Sequence, residues 1–206
     1  RFALVMTLLT TAALLTRAPW PSRPAEIGRL ALIGVLVHAC YLGGVFSAIH
    51  WGVPPAVAAL LVGLQPLTTA VAARFYLGEV VRPRQWLGLA VGLVGVILVV
   101  WHKLALGRAD AYGIAACAVA LAGMTLGTLY QKKHAGGMHL LTGSVTQFAG
   151  ASLALLPLAL IGETMHVRWT GEFIFAVVWL SVVLSIGAIS LLNLLIRSGS
   201  AVNVAS

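Results

Sequence analysis

Apolar residues fall in seven long runs along this chain, and short segments rich in turn residues and charge separate them. The runs are Phe2–Thr16, Leu30–Trp51, Ala56–Leu77, Gln85–Trp101, Ala111–Gln131, Leu141–Ile161 and Phe173–Ile196. A bilayer core takes about 20 residues of α-helix, so each run predicts a helix that crosses or nearly crosses a membrane. The first is short, as expected of a helix whose start is cut away, and an eighth is expected to begin near Ser200. The connections carry the breakers: Arg17-Ala18-Pro19-Trp20-Pro21-Ser22-Arg23-Pro24, then Gly52-Val53-Pro54-Pro55, then Gly78-Glu79-Val80-Val81-Arg82-Pro83-Arg84. Such short links leave no room for a soluble domain and make neighbouring helices antiparallel.

Threading the runs through a bilayer puts Arg17, Arg23, Arg29, Arg74, Arg82, Arg84, Lys132, Lys133 and Arg197 on one side. The other side collects Arg1, Lys103, Arg108 and Arg168. Lys and Arg concentrate in cytoplasmic loops, so the loop after the first run and the Gly78–Arg84 loop are expected in the cytoplasm. Composition agrees with a lipid solvent. Charged residues make up 9% of the chain against 60% hydrophobic, and the mean hydropathy is +1.00. A soluble domain carries about a quarter charged residues. The net charge of +8 sits in flanks and short loops, with no basic stripe or aromatic platform, which argues against nucleic acid as a partner. Phe2–Thr16 lacks the basic start and small-residue cleavage site of a signal peptide. Cys40 and Cys117 both lie in apolar runs, where thiols are mainly packing groups.

A weak repeat runs through the pattern. Phe2-Ala3 with Leu9, Ala13 and Leu14 recurs as Phe148-Ala149 with Leu155, Ala159 and Leu160; Gly52, Val57 and Ala58 recur as Gly199, Val204 and Ala205. The first run then corresponds to the sixth and the second to the seventh. A period of five spans is odd, so the two halves are expected to be inverted in the membrane, an architecture common among transporters. The expected domains are 1–101, holding helices two to five of a first repeat, and 111–206, holding helices six to eight and the start of the ninth. The whole reads as an all-α polytopic transmembrane bundle, and the chain as a fragment of a ten-helix parent.

Several stretches resemble a known family. They are Gly52-Val53-Pro54-Pro55-Ala56-Val57-Ala58-Ala59-Leu60-Leu61, Gln65-Pro66-Leu67, Leu77-Gly78-Glu79, Gln85-Trp86-Leu87-Gly88-Leu89 and Gly92-Leu93-Val94-Gly95-Val96. Together they resemble the end of the first of two EamA-type domains in the drug/metabolite transporter superfamily. Arg1-Phe2 is similar to the start of that family's second helix, and Gly199 to Ser206 to the entry of its ninth. The resemblance implies ten helices, cytoplasmic termini, and movement of small metabolites, often export. It also implies that the first and tenth helices and most of the ninth are missing, and that the protein resides in a bacterial inner membrane.

The motifs of soluble enzymes are absent: there is no phosphate loop, no H-E-x-x-H and no C-x-x-C. No cofactor or metal is expected. No carboxylate lies deep in a run, because Glu26, Glu79, Asp110, Glu163 and Glu172 all sit at ends or in loops. His38, near the middle of the second run with Tyr41 one turn on, is a candidate substrate contact, since ionisable groups at that depth are commonly functional; a packed neutral imidazole is the alternative. Gln65-Pro66 lies midway along the third run, where proline removes a backbone donor and frees the carbonyl of Val62. Groups freed in lipid must be satisfied by protein or by a wet cavity. Gln65 is therefore a candidate substrate contact and Pro66 a candidate hinge or cavity former. Trp179 joins the substrate candidates, with Thr125, Ser185 and Asn193 as weaker ones.

Gly88-x-x-x-Gly92 and Gly123-x-x-x-Gly127 read as close-packing motifs inside the bundle. Glu79 reads as structural, capping the fourth helix or pairing with Arg82 or Arg84. The functional expectation is a transporter of a small metabolite working by alternating access. A membrane-embedded enzyme and a structural membrane subunit stay open as alternatives. Oligomeric state is not specified by the sequence.

Overall fold

The computed structural model describes residues 2–104, 111–162, 169–188 and 191. Among these it contains seven helices and no strand. They are α1 (Phe2–Leu15), α2 (Pro24–His50), α3 (Pro55–Tyr76), α4 (Pro83–Leu104), α5 (Ala111–His134), α6 (Leu140–Gly162) and α7 (Gly171–Trp179, continuing as Leu180–Ala188). By length and composition α2, α3, α5 and α6 can each cross a bilayer, while α1, α4 and α7 present shorter apolar lengths. Each apolar run is largely helical over its described residues. The largest boundary difference is at α2, which starts at Pro24, six residues before the apolar run. Its first turn suits a helix start: Pro24 stands where no amide donor is needed, and Glu26 lies at the positive end of the helix dipole. The expected eighth span and Asn193 lie outside the described residues, as do Asp110 and Glu163.

Three helices are interrupted. In α3, Gly63 and Leu64 separate Pro55–Val62 from Gln65–Tyr76. Pro66 is thus the second residue of a new helical segment, where its missing N–H costs no hydrogen bond. In α2, Val35–Cys40 is wound as π-helix, and so is Leu180–Ala188 in α7. Three helix ends turn through left-handed backbone: Arg17 (φ 51°) after α1, where the Ala18 amide donates to the Ala13 carbonyl at 2.9 Å, Gly52 (φ 83°) after α2, and Gly78 (φ 67°) after α3.

The described residues form two compact units, and the boundary between them falls at residues 35 and 36 of α2. One unit comprises residues 2–35, 134–162, 169–188 and 191. There α6 packs on both α1 and α2. Val5, Leu9 and Phe148 form its core, with the Phe2 and Phe148 rings 5.4 Å apart. The α2–α6 crossing is backbone against backbone: a Cβ on Gly34 would overlap the Gln147 carbonyl, and one on Gly150 would come within 2.7 Å of the Ala31 backbone. At the loop end of this unit the Thr142 hydroxyl donates to the Pro19 carbonyl at 2.7 Å, joining the α1–α2 loop to the start of α6.

The other unit comprises residues 36–104 and 111–133. Ala48, Val53, Val57, Ala58, Ala116 and Cys117 form one core cluster, and Ala70, Ala73, Val81 and Leu129 another. The antiparallel threading read from loop charges is visible here. Trp51 and Tyr112 meet at one end, with ring centroids 6.2 Å apart, while at the other end the Lys133 ammonium lies 4.3 Å above the Tyr76 ring. The two glycine motifs behave differently. A Cβ on Gly123 would stand 2.6 Å from the Cys40 side chain, and one on Gly127 2.5 Å from that of Val37, so this motif seats α5 on α2. Gly88 and Gly92 have nothing within 4 Å of a built Cβ. The expectation that they close a contact inside the bundle is therefore corrected: among the described residues nothing packs against them.

Candidate functional site

His38 lies in the π-helical turn of α2 and is 3% exposed. A π turn spans one residue more than an α turn, so it widens the helix locally and is often found at functional positions. Here the glycine face of α5 presses on that turn, since Gly123 faces Leu36 and Cys40 and Gly127 faces Leu36 and Val37. Tyr41 begins the α-helical segment that follows and is half-buried. Gln65 opens the second segment of α3 and is also half-buried. Trp179, in the other unit, is the last α-helical residue of α7 before its π segment. It is 52% exposed and stacks on Phe175, with centroids 6.0 Å apart. The side chain of Ser185 lies outside the described residues.

On α3 and α5 the structure adds buried or half-buried polar groups that the sequence reading ranked low or passed over. The Thr68 and Thr125 hydroxyls share a hydrogen bond of 2.7 Å between the two helices. Thr69 is fully buried, and its hydroxyl makes no hydrogen bond to the described residues. Thr128 is buried and donates to the Met124 carbonyl at 2.7 Å, and Gln131 is buried one turn on. Starting from Gln65, a line of neutral donors and acceptors thus runs along α3 and α5 in otherwise apolar helices. Hydroxyls in membrane helices usually bond their own backbone, as Thr128 does, which is why the sequence marks Thr125 only as a weak candidate and passes over Thr68, Thr69 and Thr128. Their chemistry is hydrogen bonding without fixed charge. No group of three or more His, Cys, Asp or Glu suited to a metal occurs among the described residues.

Pro66 stands in the wall of a cavity of about 390 Å³ in the same unit. One side is Gly63, Leu64, Pro66 and Leu67, at the interruption of α3. The other is the face of α4 that includes Gln85, Gly88 and Gly92. The glycines create the space by withholding side chains, and the lining is mainly apolar.

A bundle of apolar helices with interrupted segments and buried neutral polar groups defines a polytopic α-helical membrane protein, and comparison with known proteins narrows its kind. Residues 1–101 match the EamA-like transporter family, which supports the resemblance to EamA-type transporters of the drug/metabolite superfamily. It is 28% identical over 180 residues to the uncharacterised inner membrane transporter YedA of Escherichia coli (strain K12), an alignment covering 87% of this chain and 57% of YedA. It is 31% identical over 80 residues to the uncharacterised transporter YwfM of Bacillus subtilis (strain 168), covering 39% of this chain and 27% of YwfM. The chain therefore spans little more than half the length of YedA. No solved structure is a significant match. The chain is an integral inner-membrane protein.

Proposed function

We propose that this chain forms part of a ten-helix, inverted-repeat carrier that moves a small polar or amphipathic metabolite by alternating access, in the direction of export that the family resemblance implies. In this reading residues 1–101 and 111–206 are the two repeats. His38, Tyr41, Gln65 and Trp179 contact the substrate, and Pro66 marks a hinge.

One observation carries the reading. The register that pairs Phe2 with Phe148 and Gly52 with Gly199 moves Val35–Cys40 by 146 or 147 residues, onto 181–187. That stretch falls inside Leu180–Ala188, the other π segment. The same backbone irregularity at the same repeat position supports a common architecture for the two halves. It also marks the helices on which alternating access would act, since carriers of this kind commonly build their sites on irregular helices.

The test is counterflow in proteoliposomes containing the full-length protein, with a panel of radiolabelled amino acids and small amphipathic metabolites. Saturable counterflow of at least one compound is expected, weakened about tenfold or more by His38→Ala or Gln65→Ala. Failure of every compound to exchange would count against transport, and full activity in both variants would remove these residues from the site.

A further inference from the structure

A second cavity, of about 430 Å³, lies at the loop end of the first unit, and none of the candidates above lines it. It is walled by the α1–α2 loop, the first turns of α2 and the start of α6. Three properties distinguish it from a gap between loops. Its rim is fixed, because the Thr142 hydroxyl holds the Pro19 carbonyl and Met138 is buried, its sulfur accepting from the Gln147 side-chain amide at 3.5 Å. Its lining combines an indole (Trp20), a carboxylate (Glu26), an imidazole (His139) and apolar surface (Leu30 and Met138). Finally, Glu26 is half-buried yet forms no salt bridge or side-chain hydrogen bond with the described residues, and no side-chain bond caps α2.

Glu26 and Leu30 are one helical turn apart, so they present to the cavity together. A half-buried carboxylate that lines one cavity with an indole is chemically suited to an organic cation. The carboxylate supplies a charge-assisted hydrogen bond, and the indole face attracts the positive charge. Leu30 and Met138 suit an apolar body attached to that charge. Among the described lining residues Glu26 is the one carboxylate, fewer anionic oxygens than a bare divalent cation usually draws on.

We propose that this cavity is a binding site for an organic ammonium ion carrying an apolar or aromatic body, with Glu26 as the anionic contact and Trp20 as the aromatic one. The site is separate from the transport reading and does not depend on it.

The experiment uses the protein in lipid nanodiscs with its tryptophans labelled as 5-fluorotryptophan, and the Trp20 resonance is assigned by Trp20→Phe. Phenethylammonium and its neutral isostere 2-phenylethanol are the probes. Phenethylammonium is expected to shift the Trp20 resonance saturably and to bind at least tenfold more tightly than the alcohol. Glu26→Gln should remove most of that preference, whereas Glu172→Gln, at the start of α7, should leave it intact. Equal binding of the two probes, wild-type affinity in Glu26→Gln, or no saturable shift at Trp20 would each overturn the proposal.

Discussion

Arg17 and Gly78 hold the same left-handed backbone at the ends of α1 and α3, yet only one of them is glycine. A side chain in that conformation costs roughly 1 kcal/mol. Arg17→Gly is therefore expected to stabilise the protein by about 0.5–1 kcal/mol, and Gly78→Ala to destabilise it by about 1 kcal/mol; equilibrium unfolding in mixed micelles measures both. Gly78 has open space around a built Cβ, so its substitution isolates the backbone effect. Glycines also divide by environment. Gly34→Ala should cost 3 kcal/mol or more, because the new methyl meets the Gln147 backbone, while Gly88→Ala should change stability by under about 0.5 kcal/mol. At this scale the sequence was only partly legible. Gly88-x-x-x-Gly92 and Gly123-x-x-x-Gly127 have the same spacing, and nothing local says which one meets a neighbour. The Thr68–Thr125 pair was hidden for a similar reason, since its partners are 57 residues apart.

The helices themselves were the most legible part of the chain. An apolar run long enough to span a bilayer leaves the backbone no alternative to helical hydrogen bonding, and proline and glycine mark its ends. The interruptions were legible only in part. Pro66 pointed to the middle of α3, but the break falls just before it, at Gly63 and Leu64. Neither π segment was read from the sequence, because no residue type demands one. The turn in α2 is tied to the close approach of Gly123 and Gly127 from α5, which is a tertiary contact. Because a π turn holds one residue more than an α turn, deleting Ala39 should restore regular α winding while keeping the helix faces on either side in register. The expected result is a folded protein with thermal stability near that of the wild type and counterflow reduced at least tenfold. A deletion variant that transports normally would show that the irregular turn has no part in the movement.

For the molecule as a whole, the distribution of charge bears on how transport would be driven. Of the carboxylates described, Glu26 and Glu172 lie in the first turns of α2 and α7, and Glu79 in the loop after α3. A proton-driven carrier needs a group at depth that binds and releases H⁺, and histidine is the side chain that ordinarily titrates near neutrality. His38 has the depth, but its burial among packed helices suits a hydrogen-bonding wall better than a proton shuttle. The full-length protein is accordingly expected to equilibrate its substrate in liposomes without a pH gradient. Flux that required an imposed gradient, with the requirement abolished by His38→Gln, would make His38 the coupling group. The division of the fold also sets a timetable for its synthesis. Val5 and Leu9 of α1 have Phe148 of α6 as their core partner, a residue made about 140 positions later. At the usual pace of about 5–20 residues per second, α1 waits in the bilayer for roughly 7–30 s before α6 reaches it. During that interval its buried face must be covered by lipid, by the insertion machinery or by a membrane chaperone, so the nascent chain is most exposed to mispairing and proteolysis before α6 leaves the ribosome.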